Sequence, residues 1–461
     1  MPKLLRFWLE PTQWTLDRLL AALTFALVLI LAACMEFKSD TWWLLRTGQE
    51  IVASRQIITT ETFSWTHAGR YWPNHEWLTE VLFYGAYRLG GLPLLVAGCA
   101  VVVTLTWYLV ARICAGPPRV RALTVLLGVV VSANTWSVRP QIISLLLFAT
   151  TLWLLDQRRR HWLYVPLFLG WANLHAGVFA GLIVIVVAAL GAAVRFRAEA
   201  VHWFSLALAC AAATLLNPLG WRLWQYTFGS FSSDARRYLL EWQPPSLGNP
   251  QHYPFFILII LTVVSVWRSR RLWHSHRDWT LLVAALVFLL LSVRSARHSA
   301  FFVVVAIPLL SRQFGAWALL PLAPRKTGVI NQAIVGFLLV VGALLINQVW
   351  AQRPPVWTAA YQTALAGCTD PLFNSYDIGG ELIWFAPEHP VFIDNRQDPY
   401  PDAFVVQVAV AEGGGDYMRL FYQYTIGCAV LAPDKPLYAN LRRNGWRELH
   451  RDPALVVLQK P

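Results

Sequence analysis

About eleven apolar runs divide this chain, and none contains an Asp, Glu, Lys, Arg or His. They cover, approximately, residues 19–35, 92–110, 122–134, 142–155, 163–172, 177–194, 204–216, 255–267, 281–293, 301–310 and 330–349. Runs of this kind are stable only where water is excluded, and a helix satisfies its own backbone there. With 57% hydrophobic and 14% charged residues and a mean hydropathy of +0.47, the chain is too apolar for a soluble globule. The pattern predicts a polytopic α-helical membrane protein of about eleven transmembrane helices, several shorter than the ~20 residues of a full crossing.

The charges give the orientation. The net charge of +13 does not point to nucleic acid, because the arginines sit in short loops between apolar runs, as topology signals do. Lys3, Arg6 and Arg18 precede the first run and predict a cytoplasmic N-terminus. The arginine loops at 112–121, 158–160, 195–197, 268–277 and 312–326 then share the cytoplasmic side. The alternate loops face outward. They carry Asp40, Asn74-His75-Glu76-Trp77, Arg139-Pro140-Gln141, Asn173-Leu174-His175, residues 217–253 and Arg294-Ser295-Ala296-Arg297-His298. Leu31-Ala32-Ala33-Cys34 resembles a lipoprotein cleavage box, but Glu10 and Asp17 spoil the short basic lead of a signal segment, so a retained first helix is expected.

The tail changes texture. Residues 1–350 read as the transmembrane domain with amphipathic outer loops, and 351–461 as a small soluble α/β domain on the outer face, entered through Pro354-Pro355. Short strands are predicted at 391–393 and 428–431, and helical segments near 403–412 and 437–444. Cys34, Cys99, Cys114 and Cys210 lie in or beside apolar runs as small fillers, whereas Cys368 and Cys428 both fall in the tail, where an oxidising compartment would allow a disulfide. No CxxC or HExxH arrangement suggests a built-in zinc site.

Candidate chemistry lies in the outward loops. Asp40 follows the first run directly, and the stretch 44–53 after it has an amphipathic pattern suited to the headgroup layer. A partly desolvated carboxylate there suits a general base for a hydroxyl nucleophile, although capping of the next helix or pairing with Lys38 accounts for it equally well. His75 and Glu76 offer further acid–base groups, while Asn74 and the nearby carboxylates also read as a helix N-terminus. Trp42, Trp43 and Trp77 could line a sugar or anchor the chain at the interface. Arg139, Arg294 and Arg297, with His298, suit bidentate grip of a lipid phosphate, or plain interface snorkelling. His175 could line the substrate, but fits better as a hydrogen-bonded packing group. Asp394 and Arg396 read as a structural ion pair.

The stretches Ser39-Asp40-Thr41-Trp42-Trp43-Leu44-Leu45-Arg46-Thr47-Gly48, Asn74-His75-Glu76-Trp77-Leu78-Thr79-Glu80-Val81-Leu82 and Val391-Phe392-Ile393-Asp394-Asn395-Arg396 resemble a bacterial subgroup of the GT-C class of membrane glycosyltransferases. The likeness of layout covers nearly the whole chain. It implies a polyprenyl-phosphate-linked sugar donor, a glycan, lipid or protein acceptor, a setting in the bacterial inner membrane, and Asp40 as the base. Many members carry a second acid beside that Asp. Here the neighbours are Ser39 and Thr41, which weakens the case for a metal-dependent site: no metal ligand is assigned, and a divalent cation stays open as a cofactor. Rival readings are a lipid-linked glycan flippase or transporter, a surface-polysaccharide ligase or polymerase, and a scaffold without catalysis. Charge-free spans and the lack of an evident repeat speak against an ion-coupled carrier. Asp40 speaks against the ligase.

Overall fold

A computed structural model describes residues 14–157, 161–231, 233–268, 275–317, 328–353 and 357–461. Arg158, Arg159, Arg160, Arg270, Arg271, Arg325, Lys326 and the Pro354-Pro355 hinge lie outside the described residues, as do Lys3, Arg6 and Glu10.

Along the chain, α1 (Leu16–Ala33), α2 (Ser39–Ser54), α3 (Trp77–Ile113), α4 (Pro118–Ser132), α5 (Gln141–Asp156), α6 (Tyr164–Leu174), α7 (Val178–Arg195) and α8 (Ala200–Ala213) come first. They are followed by α9 (Arg222–Ser230), α10 (Tyr253–Arg268), α11 (His276–Arg294), α12 (Ser299–Trp317) and α13 (Gly328–Ala351). The tail adds α14 (Ala359–Ala366), β1 (Leu372–Asn374), α15 (Gly379–Phe385), α16 (Asp402–Glu412), α17 (Tyr417–Gln423), β2 (Cys428–Leu431), α18 (Pro436–Arg443), β3 (Arg447–Arg451) and β4 (Val456–Gln459).

Each predicted apolar run falls on a helix. Among the described residues, six helical stretches are long and apolar enough to cross a membrane: Leu16–Ala33, Trp77–Ile113, Val178–Arg195, Pro250–Arg268, His276–Arg294 and Gly328–Ala351. At 1.5 Å per residue, α4, α6 and α8 with 15, 11 and 14 residues fall short of a ~30 Å hydrocarbon layer. The chain is therefore multi-pass by these six helices, and helix length does not fix the number of crossings at eleven.

The chain divides into two compact units. One comprises residues 1–36, 92–217 and 241–352 and is helical. Within it α12 packs against α4, α10 and α11, and α1 lies between α4 and α13. Small residues permit the close approaches. A Cβ on Gly128 would collide with the Trp107 ring, and one on Gly342 with Ile30. The side-chain amide of Asn331 donates to the Trp14 carbonyl at 2.8 Å, and the Trp350 indole N–H to the Ala33 carbonyl at 3.2 Å, tying both ends of α13 to the α1 segment.

The second unit gathers residues 37–91, 218–240 and 353–461, so two segments between apolar helices cluster with the C-terminal tail. Its sheet has the order β1-β2-β4-β3, with β1 parallel to β2 and the other pairs antiparallel. Phe373, Phe392, Phe404, Phe421, Leu431 and Leu458 fill its core. The predicted strand at 428–431 and the helices near 403–412 and 437–444 are present. Residues 391–393 form no strand of the sheet, which corrects that expectation. Their backbone is claimed by two other partners. The Asn374 side chain accepts from the Phe392 N–H and donates to the Ile393 carbonyl, both at 2.7 Å, and Val391 forms an isolated bridge with Ser64.

α3 breaks at Gly90-Gly91. Gly91 has φ 65°, a left-handed conformation that glycine accepts without steric cost, and the second unit ends at this residue. The amphipathic stretch 44–53 is helical, but α2 starts earlier, at Ser39, and is covered rather than exposed: Trp42, Trp43, Leu44, Leu45, Gly48 and Ile51 are buried, and α15 packs along it. Val52, Ala53 and Ser54 at its end stay exposed.

Cys368 and Cys428 form a disulfide with their Cα atoms 5.8 Å apart, closing a 60-residue separation. Serine at both positions should lower stability by about 2–4 kcal/mol, read as a lower Tm of the purified protein in detergent, and an unchanged Tm would refute a stabilising bond.

Candidate functional site

In the second unit, extended backbone at Lys38 turns into α2 at Ser39, which places Asp40 in the first helical turn, at the positive end of the helix dipole. The N-cap position is taken by Lys38, so Asp40 lies inside the first turn rather than at the cap. Ser39 Oγ donates to Glu381 Oε2 at 2.6 Å, and the Gly380 N–H donates back to Ser39 Oγ at 3.0 Å. This reciprocal pair needs α15 to touch α2. Gly379-Gly380 supplies the room, because a Cβ on Gly380 would overlap the Ser39 carbonyl and one on Gly379 the Ile393 carbonyl. Burial pushes Glu381 up to about 7, and the like charges of Asp40 and Asp377 add to it while the Ser39 hydroxyl opposes it. The Tyr376 phenol, raised well above its usual value by burial, also feels Asp40, Asp394, Asp377 and Asp398. Asp40 thus belongs to a carboxylate cluster around Tyr376 and Glu381.

His75 Nδ1 lies 3.3 Å from the Pro73 carbonyl and 3.8 Å from Asp398 Oδ2, and its Nε2 lies 3.7 Å from Glu76 Oε2. The imidazole stacks on Tyr226 with ring centroids 4.6 Å apart. Asn74 performs the helix-start role: its side-chain oxygen accepts the Glu76 N–H at 3.3 Å, while its amide donates to the buried Glu80 at 2.8 Å. His75 and Glu76 are the pair that could hold a divalent cation, His through Nε2 and Glu through a carboxylate oxygen. Trp42 is packed on Phe385 at 4.7 Å and Trp43 edge-on against Trp72 at 6.1 Å, so both rings serve the core of this unit. Trp77 is half-buried and opens α3.

Asp394 and Arg396 do pair, and the pair is larger than expected. Arg396 Nε and Nη2 donate to the two oxygens of Asp394 at 2.7 and 2.6 Å, Nη2 also meets Glu61 Oε2 at 2.6 Å, and Tyr400 donates to Asp394 at 2.6 Å. The guanidinium lies between the Phe63 and Trp72 rings, 4.9 and 4.6 Å from their centroids. Glu61 Oε1 accepts the N–H groups of Phe63 and Ser64 at 2.7 and 2.5 Å, turning the loop in toward Arg396. Arg396 is held charged by Asp394 and Glu61 against the pull of burial. Burial raises Glu61, with Arg396 opposing.

In the first unit, three of the expected phosphate-binding groups converge on residues 241–243. Arg139 Nη1 pairs with Glu241 Oε1 at 2.6 Å while its Nε donates to Ser137 Oγ at 2.9 Å. Arg297 lies over the Trp242 ring at 4.7 Å, with His298 edge-on to it at 6.2 Å. The Ala296 N–H donates to the Gln243 carbonyl at 2.9 Å. Arg294, the last residue of α11, is exposed. His175 is buried, and its Nδ1 accepts the Gly177 N–H at 3.0 Å and meets Ser144 Oγ at 2.8 Å, where Trp171 also donates.

Glu381, Glu61, Tyr376 and Asp398 were not singled out by sequence. The glycine pair before Glu381 was the available signal, since adjacent glycines mark a close backbone approach.

Solved structures share this fold. The archaeal oligosaccharyltransferase AglB from Archaeoglobus fulgidus, in complex with an inhibitory peptide and a dolichol-phosphate, matches with TM-score 0.55 and 11% identity, over 89% of this chain and 69% of its own. ArnT from Cupriavidus metallidurans bound to undecaprenyl phosphate gives TM-score 0.52 and 14% identity over 95% of this chain and 97% of its own. ArnT in the apo state gives 0.53 and 15%, over 95% and 96%. No family model and no curated protein matches the chain. The fold is that of the GT-C class.

Arg396→Met leaves Asp394 and Glu61 buried without a counter-charge and should cost about 3–5 kcal/mol, with Arg396→Lys less damaging; thermal unfolding in detergent checks this, and wild-type midpoints would refute it. Because Glu381 binds its proton more tightly folded than unfolded, its contribution to stability is full below the ordinary glutamate value of 4.5 and is lost as pH rises to about 7. Glu381→Gln should therefore match wild type near the lower limit and exceed it by about 1–3 kcal/mol above the upper one. A gap in Tm that does not change with pH would overturn the assignment.

Proposed function

We propose that the chain transfers a sugar from a polyprenyl-phosphate donor to an acceptor hydroxyl at the outer face of a bacterial inner membrane. The observation that carries this reading is a GT-C fold, matched to two proteins with a dolichol-phosphate and an undecaprenyl phosphate bound, together with a carboxylate in the first turn after α1. Asp40 takes the proton of the acceptor hydroxyl. The acceptor oxygen forms a bond to the anomeric carbon, the bond from that carbon to the phosphate oxygen breaks, and the lipid phosphate leaves with the electron pair. Arg294 and Arg297 receive the departing charge, with Arg139 shared between that task and Glu241. His75 and Glu76 bind the acceptor or relay its proton. Trp77 and His175 complete the lining, and the donor enters sideways from the bilayer.

About eleven crossings, a cytoplasmic N-terminus and an outward tail complete this reading, supported by the arginine-rich loops on one side and by a disulfide suited to an oxidising compartment. A flippase for lipid-linked glycans shares the donor lipid but breaks no bond.

Asp40→Asn should lower transfer from a lipid-linked sugar at least ~100-fold, as loss of a general base does, with its Tm kept. Full retained transfer would remove Asp40 as base. Lipid scrambling by wild-type protein in vesicles, without sugar release, would replace the enzyme by a flippase.

A further inference from the structure

Glu381 reaches α2 from the C-terminal tail, 341 residues after Asp40, and ends on the residue immediately before it. The contact is specific in form. Ser39 Oγ gives its proton to Glu381 Oε2 at 2.6 Å and receives the Gly380 N–H at 3.0 Å, so a single hydroxyl is fixed from two sides by one short helix. Glycine at 379 and 380 is what lets that helix approach, since either Cβ would meet backbone atoms of residue 393 or 39. Beyond Glu381, Phe385 packs on Trp42 at 4.7 Å and Trp357 stacks on Phe385 at 5.6 Å, closing the contact with rings. A neutral Ser–Gln or Ser–Asn bond would hold two segments together at less desolvation cost than a carboxylate.

We propose that Glu381 is a positioning residue for Asp40, fixing the first turn of α2 through Ser39 and setting the basicity of the Asp40 carboxylate by its own charge. The inference rests on the reading of Asp40 as the base. Ionised Glu381 puts a second negative charge beside Asp40 and makes it a stronger proton acceptor; protonated Glu381 withdraws that help. The coupling is reciprocal, so Asp40 raises Glu381 by the same free energy. The other groups facing Glu381 are Asp377, from the turn before α15, which adds to the effect, and the Tyr361 phenol of α14, which burial keeps neutral. Arg46 and Glu50 of α2 pair with each other at 2.9 Å and line, with His389, an adjoining cavity of about 120 Å³ toward the far end of α15. With Glu381 pushed up to about 7, the switch falls in the physiological range.

The test uses the full chain in detergent. Infrared difference spectra of wild type minus Glu381→Gln isolate the Glu381 carboxyl and give its titration midpoint without any substrate. Asp40→Asn should move that midpoint down, by removing a like charge, and Ser39→Ala should move it up, by removing a donor to the anion. A midpoint that neither variant moves overturns the proposal. In transfer assays Glu381→Gln should lower kcat with little change in KM and remove the ionisation near neutral pH from the kcat profile, with Glu381→Asp restoring part of it. A Glu381→Gln profile parallel to wild type at every pH would reduce the residue to a structural tie and also overturn the proposal. If wild type transfers no lipid-linked sugar while the midpoint shifts appear, the assignment of function fails and the coupling of Glu381 to residue 40 stands.

Discussion

The second unit is organised around one buried cation. Arg396 belongs to the tail, Glu61 and the two rings that sandwich it belong to the loop after α2, and Asp394 is its own near neighbour. A guanidinium taken out of water is tolerable only with its donors directed at carboxylates and its faces covered by aromatic rings, and each requirement is met by a different stretch of chain. The same cluster sets the turn at Phe63 and Ser64 through the free oxygen of Glu61, and that turn delivers the Phe63 carbonyl to Val391 at 3.0 Å. Val391 is thereby fixed from one side, while Asn374 holds Phe392 and Ile393 and Asp394 lies against Gly379.

That dependence reaches the candidate site. Gly379 lies against Asp394, Gly380 against Ser39, and Glu381 is bonded to Ser39, so a short path leads from the buried cation to the first turn of α2. Asp40 therefore sits on a helix whose start is held from outside, in addition to its own backbone bonds. A carboxylate on an unsupported helix end would sample several rotamers. α15 restrains this helix start through Ser39, which would preorganise Asp40 in the role proposed for it.

The helical segments were legible because their signal is one-dimensional: charge-free runs bounded by arginines need no knowledge of partners. Asp40, His75 and Glu76 stand out as candidates for the same reason, since polar residues packed beside an apolar run are conspicuous. What escaped was whatever depended on segments distant in sequence. Residues 391–393 have strand composition, yet the side chain of Asn374 takes the bonds a neighbouring strand would have taken. Trp42 and Trp43 look interfacial beside a membrane span, but α15 and Trp72 cover them. Glu381 looks like one more surface acid until Ser39, 342 positions earlier, is found on its oxygen. The pairing of Asp394 with Arg396 was visible as adjacent charges, whereas the third member, Glu61, was hidden by more than three hundred residues.

This long-range construction has a consequence for how the site forms. Within residues 37–91 alone, Glu61 lacks its counter-charge, and Ser39 lacks the acceptor and the donor that fix it. Burying that loop at this stage would strand a carboxylate in apolar surroundings, so it must stay solvated until the tail arrives. Only when residues 372–396 are in place do the cation, the glycine pair and Glu381 come together, and the disulfide between Cys368 and Cys428 then fixes β2 to the segment leading into them. The surroundings of Asp40 are thus completed by residues 372–396, far downstream of it in the chain.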